Sequence, residues 1–269
     1  MIPLRDNLSC KTFPLATLIL LALNCVAFAI ELMLPESAVE GFFMTYAVVP
    51  AKVSAAFASG DPTLIGMAIL SIFTAMFLHG GWMHLIGNMV FLQAFGRAVE
   101  ARLGSVKFVL FYLLGGFAAW GLHMFTDPMS PIPALGASGA IAAVLGGYLL
   151  FYPKAEFKAV AFAGLPLLVV VRAYWLLPVW FLTQLNDGIT NLSATGGGVA
   201  YWAHIGGFLA GMILAGLWHM YRPQSSVCYV PISCECNCAG GNEHCTKNHK
   251  HKLSFLGFGK KHNHDHHSH

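Results

Sequence analysis

Long apolar runs separated by short polar clusters organise this chain. Six of them are candidate membrane-spanning helices, near Phe13–Leu34, Met83–Ala101, Val106–Phe125, Ser138–Tyr152, Leu165–Leu185 and Ala200–Tyr221. A spanning helix needs about 20 largely apolar residues, so the fourth run is short. It opens inside a glycine-flanked turn, a place where a helix can start below the membrane surface if irregular backbone lines a cavity. Between the first two runs, Pro35–Trp82 carries Glu36, Glu40, Asp61 and Pro62 along with apolar patches at Gly41–Val49 and Leu64–Phe77. Connections of that length are usually functional or internally structured, and this one reads as helical segments lying in or on the outer leaflet. The pattern predicts an all-α polytopic membrane protein, a six-helix bundle with a membrane-associated first loop. No internal repeat supports an inverted-repeat transporter.

Composition agrees with the pattern. The 269 residues are 57% hydrophobic and 10% charged, against roughly 25% charged in a soluble domain. A formal net charge of +3 is too small to argue for nucleic acid, but the placement of the basic residues is informative. Arg5 and Lys11 precede the first run, and Arg97, Arg102 and Lys107 flank the connection between the second and third. Lys154, Lys158 and Arg172 fall between the fourth and fifth, and Arg222 follows the sixth. The alternate connections are poor in base: Lys52 is alone in 35–82, and 126–137 and 186–199 have none. By the positive-inside rule both termini lie in the cytoplasm, which puts Ser138 near the outer face. A signal peptide is the rival reading of the N-terminus, with Ala27-Phe28-Ala29 as a cleavage site, but the apolar core exceeds the usual ~7–15 residues. The expected location is a bacterial inner (plasma) membrane.

A composition break follows Arg222-Pro223 and divides the chain into 1–223, the helical bundle, and 224–269, a cytoplasmic tail. The tail holds five of seven cysteines and eight of thirteen histidines. Cys234, Cys236, Cys238, His244 and Cys245 are candidate ligands for zinc or copper, since thiolates and imidazoles suit both ions. Their spacing departs from common zinc patterns, and a flexible tail is the competing reading. Reduced thiols, expected in the cytoplasm, favour ligation over disulfides.

Two polar groups stand out in apolar surroundings. Ser138 lies in Gly136-Ala137-Ser138-Gly139, and His204, 66 residues later, in Ala203-His204-Ile205-Gly206-Gly207. Polar side chains at membrane depth usually face a protein interior or a cavity and often mark function. A serine and a histidine together suggest nucleophilic catalysis. The plainer readings are a helix N-cap for Ser138 and a core histidine bonded to a carbonyl for His204. Small-residue rows favour the first pairing: Ala203, Gly207 and Gly211 on one helix, Gly139, Ala143 and Gly147 on the other, allow close helix approach. Packing them brings Ser138 and His204 to similar depth. His84 and Asn88, spaced i, i+4 near the outer end of the second run, share a face. Both can donate to an anionic oxygen, or simply join helices.

With these residues in hand, the chain resembles the rhomboid family of intramembrane serine proteases. The resemblance rests on residues 1–7, on Phe77-Leu78-His79-Gly80-Gly81-Trp82-Met83-His84-Leu85-Ile86-Gly87-Asn88, on Gly136–Ala140 and on Tyr201–Phe208, and covers about residues 1–221. It implies a six-helix core with a water-accessible cavity, Ser138 as nucleophile and His204 as its general base without an acidic third member. It implies an oxyanion hole of His84, Asn88 and the Ser138 backbone N–H, with Gly136 as the turn that lets substrate approach. His79 is expected to be structural, and the fifth helix with loop 186–199 to be the substrate gate. Transmembrane protein substrates and the lipid bilayer are the expected partners, and catalysis needs no cofactor. Two departures stand out. Ala142 occupies the position where some relatives stack an aromatic ring on the histidine, and the first loop lacks a Trp-Arg pair. A catalytically silent binder of transmembrane helices is the alternative function. A small-solute or metal transporter comes third, suggested only by the tail.

Overall fold

The computed structural model describes residues 2–163, 165–191, 199–221 and 228–230. Its helices follow the apolar runs. They are α1 (Leu15–Leu32), α2 (Glu36–Tyr46), α3 (Pro50–Ser59), α4 (Pro62–Ala75), α5 (Trp82–Leu103), α6 (Ser105–Thr126), α7 (Ser138–Phe151), α8 (Ala173–Thr190) and α9 (Tyr201–Tyr221). Among the described residues α1, α6 and α9 are long and apolar enough to cross a membrane, while α4 and α7 are shorter apolar helices. Leu18, Ile19, Leu23 and Val26 of α1 and Leu110 and Leu114 of α6 point outward, as hydrocarbon-facing side chains do.

Short α7 is the centre of the fold. Eleven of its residues, Gly139–Tyr148 and Phe151, are buried, and it packs against α5, α6, α8 and α9. The α7–α9 contact is the most extensive between helices because glycines let the backbones meet. A Cβ built on Gly207 would overlap the Gly139 carbonyl, on Gly211 the Ala143 carbonyl, and on Gly146 the Phe208 carbonyl. The expected row on α7 thus meets α9 at Gly139 and Ala143 and differs only at its last member. Gly147 faces the Phe111 ring of α6, at 2.8 Å from a built Cβ, and Gly146 faces α9.

The first loop folds into α2, α3 and α4 and is stitched to the segment preceding Ser138. Val48 and Ala134 exchange backbone hydrogen bonds, the Ala51 N–H donates to the Ser130 carbonyl at 3.0 Å, and the Ser54 hydroxyl to the Pro128 carbonyl at 2.9 Å. These bonds anchor the loop without a Trp-Arg pair.

The all-α expectation needs correction at one end of the bundle. Strand β1 (Ile2–Asp6) pairs antiparallel with β3 (Glu156–Ala163), which pairs antiparallel with β4 (Leu165–Arg172), and β2 (Ser9–Cys10) pairs with β5 (Cys228–Tyr229). The fifth helix thus starts at Ala173 rather than Leu165. Leu165-Pro166-Leu167-Leu168-Val169-Val170-Val171 is an apolar run whose β-branched residues suit a strand. Asp6 pins β1 to the helices: Arg97 forms an ion pair with it, and the Tyr148 hydroxyl donates to its second oxygen at 2.8 Å. Glu100 of α5 serves the orphan donors at the start of α1. Its carboxylate accepts from the Ala16 and Thr17 N–H groups at 2.8 Å each and from the Thr17 hydroxyl at 2.7 Å. Pro14 offers that helix no side-chain cap, and a carboxylate at a helix N-terminus is favoured by the free N–H groups and the dipole.

Cys10 and Cys228 form a disulfide. This corrects the expectation of free thiols in the tail at Cys228. The bond joins two segments that the basic residues assign to the cytoplasmic face, where thiols are usually kept reduced. Backbone contacts gather Met1–Pro231 into one compact unit. The candidate metal ligands Cys234, Cys236, Cys238, His244 and Cys245 lie outside the described residues.

Candidate active site

Ser138 is the first residue of α7, and Ala137 occupies the cap position with no side-chain cap bond. The serine hydroxyl is therefore not spent on its own helix. Its Oγ lies 2.7 Å from His204 Nε2. At the first position of a helix the backbone N–H has no intrahelical acceptor, so Ser138 presents both a hydroxyl and a free amide donor. Ser138 is partly exposed, whereas His204 is 9% exposed.

Close helix packing sets this meeting. With Gly207 against the Gly139 carbonyl, the residue before each lies alongside the contact, Ser138 on α7 and Gly206 on α9. His204, one turn earlier on α9, then reaches over the N-terminus of α7.

The second nitrogen of His204 is also engaged. Nδ1 lies 2.6 Å from Oε1 of Gln184 on α8. The indole of Trp180, one turn earlier on the same helix, sits with its ring centroid 5.9 Å from the imidazole and the planes 32° apart. Neither Gln184 nor Trp180 is among the residues that the sequence alone singles out for the site. The signal available was an amide four residues after a tryptophan within an apolar helix. Trp180 supplies the aromatic neighbour that Ala142 does not.

Gly136 explains how His84 comes close. Its φ is +131°, in the region that favours glycine. A Cβ there would lie 2.6 Å from His84 Nε2 and 3.6 Å from Ser138 Oγ. The Gly136 N–H donates to the Ala75 carbonyl at 2.8 Å, which fixes the turn to the end of α4. His84 and Ser138 therefore flank one stretch of backbone.

Asn88 is buried and tied to His79, whose Nε2 lies 2.9 Å from the Asn88 Nδ2. His79 Nδ1 lies 3.2 Å from the Phe77 carbonyl, which can only accept. Nδ1 therefore carries the proton and Nε2 accepts from the Asn88 amide. The His79 backbone N–H donates to the Glu31 carboxylate at 3.0 and 3.2 Å, and the His79 and His84 rings meet edge to face at 5.1 Å. His79 is thus a support for Asn88 and His84. Burial, and then the neighbouring His84, push its imidazole down to about 4 from the ordinary 6.5.

That shift has a sign. Between pH of about 6.5 and about 4 the unfolded chain takes up a proton that the folded one refuses, so His79 lowers stability as pH falls through that window. Thermal unfolding in detergent is expected to show the decline, with a shallower slope in His79→Gln, whose amide does not titrate there. Equal slopes would contradict it.

Residues 67–221 match the family profile described as Rhomboid domain. RHOMBOID-like protein 5 of Arabidopsis thaliana is 30% identical over 157 residues, 57% of this chain and 45% of that protein. Rhomboid protein 1, mitochondrial, of Saccharomyces cerevisiae is 28% identical over 157 residues, 57% of this chain and 42% of that protein. Rhomboid protease GluP of Bacillus subtilis is 30% identical over 146 residues, 54% of this chain and 25% of that protein. The match spans less than half the length of each of these relatives.

Proposed function

This chain belongs to the rhomboid family, and we propose that it is an intramembrane serine endopeptidase acting through Ser138 and His204. One observation carries the reading: Ser138 Oγ and His204 Nε2 lie 2.7 Å apart, within the reach a general base needs. We take α1, α5, α6, α7, α8 and α9 as six spans in a plasma membrane with both termini cytoplasmic. The cleaved bond then lies near the outer face of a single-pass membrane protein. Residues 224–269, whose start is tied to the bundle by β5 and the Cys10–Cys228 disulfide, we assign to a tail outside the chemistry.

In this mechanism Ser138 Oγ attacks the scissile carbonyl carbon while Nε2 of His204 takes its proton. The developing oxyanion receives hydrogen bonds from the Ser138 backbone N–H, from His84 and from the amide N–H of Asn88 that His79 leaves over. His204 then passes its proton to the leaving amine. Water, deprotonated by the same nitrogen, attacks the acyl carbon, and collapse of that intermediate releases the second product and restores the hydroxyl. Gly136 leaves room for the substrate backbone to approach this point. The substrate helix must unwind locally, because an intact helix shields its carbonyls, so helix-weakening or small residues are expected at the cut.

Co-reconstitution in liposomes with a single-pass substrate tests the proposal. Wild type is expected to cut one bond near the outer membrane surface, mapped by mass spectrometry, and His204→Ala to leave the substrate intact. Binding of transmembrane helices with no cleavage by wild type would favour the catalytically silent reading instead. Asn88→Ala is expected to lower kcat by ~10²–10³, as loss of one oxyanion donor does in soluble serine proteases. An unchanged kcat would remove Asn88 from the oxyanion site.

A further inference from the structure

The His204 ring has two nitrogens, and only one arrangement of its proton lets it act as a base toward Ser138. If Nδ1–H is protonated and Nε2 bare, Nε2 can accept the serine proton. With the proton on Nε2 the ring can only donate toward Oγ. Which form prevails is decided by the partner of Nδ1, and here that partner comes from a helix that carries none of the reacting atoms.

Gln184 Oε1 lies 2.6 Å from His204 Nδ1. An amide oxygen only accepts, so this contact requires the proton on Nδ1. The same helix presents a consistent face to α9. Leu177 is buried, the Phe181 ring stacks on Phe208 at 4.9 Å, and a Cβ built on Gly188 would be in ordinary contact with Tyr201, Trp202 and Ile205. Leu177, Phe181, Gln184 and Gly188 follow the i, i+4, i+7, i+11 spacing of one helical face. Trp180 covers the imidazole beside that face. On the other side, Trp175, Val179 and Leu182 are exposed, so α8 is a peripheral helix whose inner face rests mainly on α9 and less extensively on α7. Pro178, within α8, also removes an intrahelical hydrogen bond nearly two turns before Gln184.

We propose that Gln184 is a positioning residue that holds His204 in the Nδ1-protonated tautomer, with Trp180 limiting ring rotation, so that the base is set only while α8 rests on α9. The inference rests on the Ser138–His204 reading above and deepens it. It gives the pair a neutral third member in place of a carboxylate, and it ties the state of the base to the position of a peripheral helix.

Nitrogen-15 NMR of histidine-labelled protein in nanodiscs reads the tautomer without relying on activity. Wild type is expected to show His204 protonated at Nδ1, and Gln184→Leu to show loss of that single form. In the cleavage assay Gln184→Leu is expected to lower kcat roughly 10–10²-fold with KM little changed, the scale expected when a reacting group is misplaced by about an ångström. Gln184→Glu, which keeps an oxygen acceptor, is expected to restore most of the rate. Trp180→Leu separates packing from the hydrogen bond and is expected to keep the tautomer. An Nδ1-protonated His204 in Gln184→Leu, or a wild-type ring protonated at Nε2, overturns the proposal. If wild type shows the expected tautomer that Gln184→Leu loses, yet cleaves nothing, the positioning role stands and the proteolytic reading fails.

Discussion

Replacing Ser138 with alanine is expected to abolish cleavage while leaving the protein as stable as before. The oxygen removed is the one 2.7 Å from His204 Nε2, and no other atom of the variant can take its place as nucleophile. In a soluble serine protease the same change lowers kcat on the order of 10⁶-fold, which in a membrane assay means no detectable product. Stability is expected to hold because the hydroxyl does not cap α7, whose cap residue makes no side-chain bond, and the Cβ is retained. A cleavage assay paired with thermal unfolding in detergent measures both. Undiminished cleavage by Ser138→Ala would end the proposal, and a large loss of stability would show that the hydroxyl has a structural role.

The second large effect belongs to Gly211. A Cβ there would overlap the backbone of Ala143, and neither backbone can yield without separating α7 from α9. Overpacking a core typically costs roughly 1–3 kcal/mol, and a clash between two main chains belongs at or above the top of that range. Gly211→Val is therefore expected to lose at least ~3 kcal/mol and to pull His204 out of reach of Ser138. Unfolding in detergent is expected under milder conditions than for wild type, and cleavage to be lost. Gly66→Ala is the control: nothing lies within 4 Å of a Cβ built on that helical glycine, so stability is expected to be unchanged or slightly raised. Equal stability of Gly211→Val and Gly66→Ala would contradict the packing account.

Much of the architecture can be traced to local pattern. The apolar runs of α1, α6 and α9 mark their helices within a few residues, and the prolines at 35, 50 and 62 stand at the starts of α2, α3 and α4. Ser138 and His204 are conspicuous in the sequence because a hydroxyl and an imidazole are costly among apolar residues. What local pattern does not hold is which neighbour a residue meets. Leu165–Arg172 is as apolar as a helix, and a short run of that kind is ambiguous between helix and strand until its partner is known. Its partner is β3, in which only Glu156-Phe157-Lys158-Ala159 alternates polar and apolar residues, too short a pattern to mark a strand. Gly146 takes the place expected for Gly147 on α7 because one helical face recurs at i, i+4, i+7, and Gly147 meets Phe111 of α6 instead. Cys10 and Cys228 are 218 residues apart, and cysteine connectivity does not follow from spacing. Gln184 reads as an ordinary polar residue until α8 is laid against α9 and its oxygen reaches the imidazole.

The central claim is that Ser138 is a nucleophile made reactive by His204. The most direct measurement is labelling of the folded, full-length protein in detergent with a fluorophosphonate probe, followed by mass spectrometry. The account predicts one adduct, on the Ser138 oxygen, lost in His204→Ala. Absence of the adduct in wild type, or equal labelling in His204→Ala, would contradict it.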